Sequence, residues 1–295
     1  MKDVVFLIPI NADSRITPLR RLLRENMINS LKNQTSGNWE ALLIGEYDKT
    51  EGNMRYIPAV SLEPGYQKRD RNDFGHTDKH FKIDVAMQYL NKQERKPKYV
   101  VRLDDDDLMS PDIVSIIEKS GDKYDCFADE YQFLYNVSNG KICFDSYPWM
   151  ANTTFHRYEH AKVIIPEFNL TLINCSHDLG FHKYYAGKQV WYSPKMNPLY
   201  VRVHSPTVLN LESQGGKISY EDHLKRFGFW HYVRLPEYEP YFAKLTAEYE
   251  KLNNVKVEKN FSAFYYYKSL FAYTLYKRFN NFFPRLANKM KKPKP

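Results

Sequence analysis

Cysteine is scarce in this chain. Cys126, Cys143 and Cys175 are the three present among 295 residues, and none lies in a CxxC or Cys/His spacing. That excludes a disulfide scaffold and a zinc-organised fold, and fits a reduced cytoplasmic protein. Long apolar runs are missing as well. No stretch of about 18 uncharged apolar residues occurs, so no transmembrane helix is expected. The opening MKDVVFLIPINADSR has too short an apolar run for a secretory signal. Asn11 and Asp13 interrupt it, and no small-residue cleavage site follows. Internal repeats and long low-complexity segments are also lacking. Acidic residues are absent from 261–295, which carries Lys268, Lys277, Arg278, Arg285, Lys289, Lys291, Lys292 and Lys294. The net charge of +8 is confined to that tail, because removing these eight from 43 basic residues leaves 35 against 35 acidic ones. A neutral body with a basic appendage argues against a nucleic-acid partner.

Hydrophobic residues make up 43% and charged residues 26%, enough apolar surface for an ordinary core and too much for wholesale disorder. The length suits one large catalytic domain with an appendage. The chain reads as strand, helix, strand, helix, strand. Val4 to Ile8 is a continuous β-branched and apolar run, the mark of a strand buried on both faces, with Pro9 ending it. Pro18 to Leu31 has helical spacing, Trp39 to Ile44 is a second strand, and Arg55 to Val60 a short third. Residues 61–80 read as a loop, Phe81 to Leu90 as a helix, and Tyr99 to Leu103 as a strand. Ser110-Pro111-Asp112 opens a further helix, with Ser as cap and Pro at its first position. Phe127 to Val137 and Lys141 to Phe144 form a hairpin about Asn139-Gly140. A helix begins near Ser176, and Val190–Tyr192 and Leu199–Val203 are strands. This alternation predicts an α/β domain with a mostly parallel sheet, whose ligands bind at the carboxyl ends of its strands.

The segment that stands out is Asp104-Asp105-Asp106-Asp107, which follows an apolar strand directly. Four adjacent carboxylates can be a solvated acidic loop. At a strand end they are better explained by a hard cation, Mn²⁺ or Mg²⁺, which takes oxygen ligands and phosphate. An EF-hand is excluded, since positions six and twelve of such a loop would be Met109 and Ser115 instead of Gly and Glu.

Leu103-Asp104-Asp105-Asp106-Asp107-Leu108-Met109-Ser110-Pro111-Asp112 resembles the LDxDDxxxPD signature of family 2 inverting glycosyltransferases, which have the GT-A fold. Ser30-Leu31-Lys32-Asn33-Gln34-Thr35 with Trp39-Glu40 is similar to that family's SLxNQTxxxWE element, and Ile8-Pro9-Ile10-Asn11 to its opening strand and turn. The resemblance spans about residues 4–205, and its Val-Arg-Leu-Asp context also resembles a group of bacterial rhamnosyltransferase-like proteins.

The resemblance implies a GT-A (Rossmann-like) sheet flanked by helices, and a set of roles. Asp104 and Asp106 match the metal-binding DxD pair, with Asp106 the more direct ligand, and Asp105 and Asp107 support the donor site. Pro9 and Asn11 line the nucleotide base, and Glu46 matches an acidic residue that contacts base or ribose. Here the family's Asp and Gly-Ser-type loop are replaced by Gly45-Glu46-Tyr47-Asp48. Lys79 and Lys82 lie where the family places a diphosphate-binding Arg. Asp178, in His177-Asp178, stands at the place of the family's catalytic base, with His replacing the usual Glu; the alternative is a carboxylate that stabilises a helix N-terminus. Arg202 and His204 match an R-x-H element whose His completes the metal or diphosphate site; a structural or surface His is the competing reading. Trp149 is either an acceptor platform or a core residue.

These expectations give a catalytic domain at 1–240, with a donor half (1–120) and an acceptor half (121–240), and a helical aromatic and basic extension at 241–295. The extension either docks on an anionic membrane surface or packs against the domain. The expected function is metal-dependent transfer of a sugar from a nucleotide-sugar to a saccharide or lipid-linked acceptor in surface polysaccharide synthesis. The rivals are a metal-dependent nucleotidyl or phosphoryl transferase, a non-catalytic nucleotide-sugar-binding module, and a nucleic-acid-binding protein marked by the basic tail.

Overall fold

A computed structural model of the chain describes residues 2–10, 17–45, 50–59, 74–130, 132–143, 154–166, 169–175, 181, 184–194, 197–204 and 234–257, with 74–77 described by backbone alone. The apolar run at the start forms strand β1 (Val4–Ile10), followed by β2 (Trp39–Gly45), β3 (Met54–Pro58) and β4 (Tyr99–Arg102). After these come β5 (Leu108–Met109), β6 (Cys126–Ala128), β7 (Phe133–Asn136), β8 (Lys141–Cys143) and β9 (Thr154–Arg157). The short pair β10 (Ile164–Ile165) and β11 (Leu170–Thr171) precedes β12 (Val190–Tyr192) and β13 (Tyr200–His204).

Seven strands make the main sheet in the order β12-β6-β9-β4-β1-β2-β3. β1 pairs in parallel with both β2 and β4, β2 with β3, and β12 with β6, while β9 runs antiparallel between β4 and β6. A smaller sheet has the order β5-β13-β7-β8. This mostly parallel, helix-flanked sheet is the α/β arrangement that the sequence implied. β1 is the point where strand order reverses, and in α/β sheets ligands bind at the carboxyl ends of the strands that flank such a point, here β1 and β4.

Helices cover both faces. Alternate residues of β1 (Val4, Phe6, Ile8) pack with Met27 and Leu31 of α1 (Pro18–Lys32); the same cluster takes in Ile113, Val114 and Ile117 of a later helix (Ile113–Ser120). The opposite residues, Val5 and Leu7, pack with Ile83, Ala86 and Leu90 of α2 (Phe74–Lys92). The helix of Ile113–Ser120 is α3, and Tyr158–Ala161, below the α2 face, is α4. Burial on both faces explains why β1 and β2 read as unbroken apolar runs. α1 starts at Thr17, whose hydroxyl accepts from the Arg20 N–H at 3.2 Å, with Pro18 next in line.

Several local expectations are corrected. Pro9 does not end β1, which runs on to Ile10 opposite Gly45. Leu7 turns its carbonyl toward β4, where it accepts from Leu103 N–H at 2.9 Å. Pro9, two residues on, faces the same side, and β4 has already left the sheet there, so its missing N–H is not needed. The loop expected through residue 80 gives way to helix from Phe74. That polar first stretch is held by charge: Asp78 pairs with Lys82 at 2.8 Å, and Lys79 with Asp104 at 2.7 Å. Ser110 does not cap α3, which begins at Ile113 after Asp112. Asp112 makes no capping bond because its Oδ1 accepts from Thr35 Oγ1 at 3.0 Å. The run 127–137 forms two strands in different sheets, β6 and β7, while the hairpin of β7 and β8 forms as expected.

The last described helix, α5 (Glu239–Asn253), spans the expected boundary at 240/241. Its Tyr241, Phe242 and Leu245 pack with Leu19 and Leu23 of α1 and with Val201 and Val203 of β13. Phe242 stacks on Tyr135 with ring centroids 3.8 Å apart. Among the described residues no helix is long and apolar enough to cross a membrane. Residues 258–295, and so the basic tail, lie outside the described residues.

One position at the strand ends tolerates only glycine. A Cβ on Gly45, whose φ is +150°, would lie 2.1 Å from the Ile10 carbonyl oxygen. Gly45→Ala should therefore lower stability by about 1–3 kcal/mol, read by urea denaturation. Wild-type stability of that variant would mean that β1 and β2 do not approach this closely.

Candidate active site

The acidic run closes a tight turn between the two sheets. β4 stays in register with β1 as far as Arg102, and Leu103 N–H still reaches Leu7. Asp107 N–H then turns back toward the Asp104 carbonyl at 3.4 Å, and Leu108 and Met109 enter the small sheet against Val201 and Tyr200 of β13. The turn follows the carboxyl end of β4, the edge at which an α/β sheet binds its ligands.

Each carboxylate has a different partner. Asp105 is buried and takes Arg20 Nη2 on Oδ1 at 2.5 Å, and both Nε and Nη2 of Arg24 on Oδ2 at 3.0 Å. Asp107 is buried too: Tyr200 donates its hydroxyl to Oδ2, and Val203 N–H donates to Oδ1 at 2.9 Å. Asp104 and Asp106 are more open. Lys79 Nζ meets Asp104 Oδ1 at 2.7 Å, and Arg20 Nη1 meets Asp106 Oδ2 at 2.6 Å. Lys79 and Arg20 are themselves 29% and 24% exposed, against 3% for Arg24. The odd-numbered carboxylates are thus locked by buried partners, and the even-numbered ones are covered by cations that reach solvent.

Asp104, Asp106 and Asp107 each offer an oxygen, all within 4.8 Å of one another. Two unit charges at that spacing repel by roughly 3–4 kcal/mol at an effective dielectric near 20, so the group needs cations. An all-oxygen set of this size suits Mg²⁺ or Mn²⁺. Asp107 already accepts two hydrogen bonds, which makes Asp104 and Asp106 the better pair for such an ion. Burial pushes the Asp106 carboxyl up, with Arg20 opposing and Asp105 and Asp104 adding to it. Burial also holds Asp107 well above the usual carboxylate range, reinforced by Asp106 and Asp104. Burial alone would lower Arg202, but Tyr200, Asp107, Asp104 and Asp106 raise it above its ordinary value. Arg102 is buried and lowered by desolvation, with Asp104 and Cys175 pulling the other way.

The structure brings Asp104–Asp107, Lys79 and Arg202 to one place. His204 is fully buried at the end of β13, one residue beyond the Val203 N–H that holds Asp107. Pro9 is half-buried near the end of β1. Lys82 is buried, paired with Asp78, and donates to the Ile10 carbonyl at 2.9 Å, so it secures the end of β1. Asn11, Glu46, Trp149 and Asp178 lie outside the described residues. The stretch holding Asp178 is bracketed by Cys175 and Phe181, both buried.

Arg20 and Arg24 were missed from the sequence. Their signal was two Arg residues one turn apart at the start of a helix that follows the first strand. The SLxNQT element also has a physical task. Ser30 Oγ accepts from Met109 N–H at 3.2 Å, Gln34 donates to the Ser110 carbonyl at 2.6 Å, and Asn33 donates to the Tyr241 hydroxyl at 2.7 Å. These side chains brace the exit of the acidic turn. A separate open cleft of about 720 Å³ lies at the opposite, amino-terminal edge of the sheet, near Lys2, Trp39 and Met54. Its charged pair, Arg55 and Glu40, is already closed at 2.9 Å, and none of the carboxylates of the turn lines this space.

No family model matches the chain, and no curated protein matches it in sequence. Among solved structures it is similar to residues 1–349 of TarS from S. aureus, with a TM-score of 0.42 and 14% identity over 69% of this chain and 60% of that one. The same fragment has been solved in complex with UDP and with UDP-GlcNAc. A glycosyltransferase involved in the glycosylation of the major capsid of PBCV-1 matches with a TM-score of 0.37 and 13% identity over 68% of this chain and 92% of that one. The glycosyltransferase GlyE of Streptococcus pneumoniae TIGR4 matches at 0.40 and 11%, over 88% of this chain and 66% of that one. The chain spans about 60% of the TarS fragment. Likeness this distant carries no chemistry, which rests on the side chains of the site.

Two measurements check these contacts. Tyr200→Phe leaves Asp107 Oδ2 without its donor in a buried place and should cost about 1–3 kcal/mol in urea denaturation; no loss would mean that the contact is not made. Asp129, at the end of β6, accepts from Leu199 N–H at 2.9 Å and Ser193 Oγ at 2.5 Å, and burial pushes its carboxyl up to about 7. The folded state then holds a proton that the unfolded state has released, so its contribution to stability falls as pH rises from about 4 to 7. Asp129→Asn should lose roughly 1–3 kcal/mol less stability than wild type between pH 5 and 8. Equal losses would place that carboxylate in a more polar setting.

Proposed function

We propose that the protein is a metal-dependent inverting glycosyltransferase. It moves a sugar from a nucleotide-sugar donor to a saccharide or lipid-linked saccharide acceptor in surface polysaccharide synthesis. The observation that carries this reading is the alternation within the acidic turn. Asp104 and Asp106 are the two carboxylates left partly accessible, at the carboxyl edge of a parallel sheet and covered by half-buried cations that reach solvent. That is the pattern the DxD resemblance assigns to the donor site.

In this reading Asp104 and Asp106 hold Mn²⁺ or Mg²⁺, with His204 as a further candidate ligand. When bound, the ion supplies positive charge to the departing nucleoside diphosphate. Asp105 and Asp107 fix the turn on which the pair stands. Arg202 adds positive charge for the diphosphate, and Lys79 is placed to do the same. Pro9, Asn11 and Glu46 meet the nucleoside, and Lys82 holds the strand end from which that loop departs. Asp178 takes the proton from the acceptor hydroxyl as its oxygen attacks the anomeric carbon and the sugar–phosphate bond breaks. Trp149 gives the acceptor an aromatic face.

The catalytic unit is assigned to 1–240 (donor half 1–120, acceptor half 121–240), and α5 packs against it. The basic remainder of 241–295 is proposed to rest on the anionic inner face of the plasma membrane, near a lipid-linked acceptor.

A thermal-shift panel of nucleoside diphosphates with and without Mn²⁺ tests the donor site. One nucleotide should raise Tm by several degrees, and only with the metal; no stabilisation in either condition rejects the reading. Given that donor, Asp178→Asn should abolish transfer and keep donor binding nearly intact, and normal turnover would remove Asp178 from the mechanism. Release of pyrophosphate from a nucleoside triphosphate would instead indicate a nucleotidyl transferase.

A further inference from the structure

Arg20 occupies an unusual position. It is the third residue of α1, yet its two terminal nitrogens span Asp105 Oδ1 at 2.5 Å and Asp106 Oδ2 at 2.6 Å. Among the described residues it is the only side chain hydrogen-bonded to Asp106. The two carboxylates differ in what happens if it leaves. Asp105 keeps both nitrogens of Arg24 at 3.0 Å and stays compensated in its buried place. Asp106 loses its partner and becomes available. Arg20 has a route toward solvent, since its side chain is 24% exposed, whereas Arg24 is 3% exposed and enclosed.

We propose that Arg20 is an exchangeable counter-ion: it holds Asp106 in the free protein and passes to an incoming diphosphate when a divalent cation takes that carboxylate. The proposal deepens the donor-site reading above and rests on it. A cation arriving alone must break a charge-assisted hydrogen bond, one of the strong class, and leave a guanidinium without its partner. A diphosphate arriving alone meets a row of aspartates. Arriving together, the two exchange one ion pair for two, because the planar guanidinium matches phosphate oxygens as well as it matches carboxylate. Cation and diphosphate therefore bind with positive coupling, expected in the common range of about 5- to 150-fold. Arg20 is a positioning residue here, acting through Asp106 and the leaving group and not on the reacting carbon.

The test uses Mn²⁺ alone as the probe, with free Mn²⁺ followed by electron paramagnetic resonance in the full chain at fixed ionic strength. Arg20→Gln should bind Mn²⁺ about 5- to 20-fold more tightly than wild type, and Arg20→Lys should fall near wild type. Arg21→Gln, at the exposed neighbouring position, removes the same charge without touching the aspartates and should leave Mn²⁺ affinity within about twofold. Unchanged or weaker Mn²⁺ binding in a folded Arg20→Gln protein overturns the proposal, as does equal tightening by Arg21→Gln. A melting curve establishes that the variant is folded, which Arg24 should secure. The donor-site reading fails on a different result: no nucleoside diphosphate stabilises the wild type, whatever Mn²⁺ does.

Discussion

Four consecutive carboxylates cannot share one turn unless each is compensated, and the rest of this structure is arranged around that requirement. Repulsion of several kcal/mol per close pair is comparable with the net stability of a domain. The compensation comes from opposite sides. α1 contributes Arg20 and Arg24, α2 contributes Lys79, and β13 contributes Tyr200, the Val203 N–H and the field of Arg202. The turn is thereby the meeting point of the main sheet, the small sheet and two helices.

Rigidity and availability are divided within the same four residues. Buried partners hold Asp105 and Asp107, so the backbone of the turn is fixed before any ligand arrives. Solvent-reaching cations cover Asp104 and Asp106, so these two can change partners. A site of this kind is preorganised in its frame and exchangeable at its face, which is the combination that binding a charged diphosphate asks of a protein. The SLxNQT side chains extend the frame by tying Met109, Ser110 and α5 to α1.

Much of the fold was legible from residue order. The unbroken apolar runs of β1 and β2 required burial on both faces, and α1 showed its apolar spacing from Pro18. What failed were statements about ends. Pro9 reads as a terminator because its missing N–H is a local property, but whether that N–H is needed depends on where β4 stops. Ser110 resembled a cap for the same kind of reason, while Asp112 was engaged by Thr35 from a remote turn. β9 carried no signal strong enough to place it between β4 and β6.

The sequence by itself determined that the carboxylates cluster and that they stand at a strand end, since adjacency and apolar periodicity are short-range properties of the chain. It could not determine which of the four would face solvent. That was decided by Arg20 and Arg24, 81 to 86 residues before them, and by Tyr200 and Val203, 93 and 96 residues after. Helix and strand packing brings those groups to the turn, and a buried charge accepts only the partners that packing delivers.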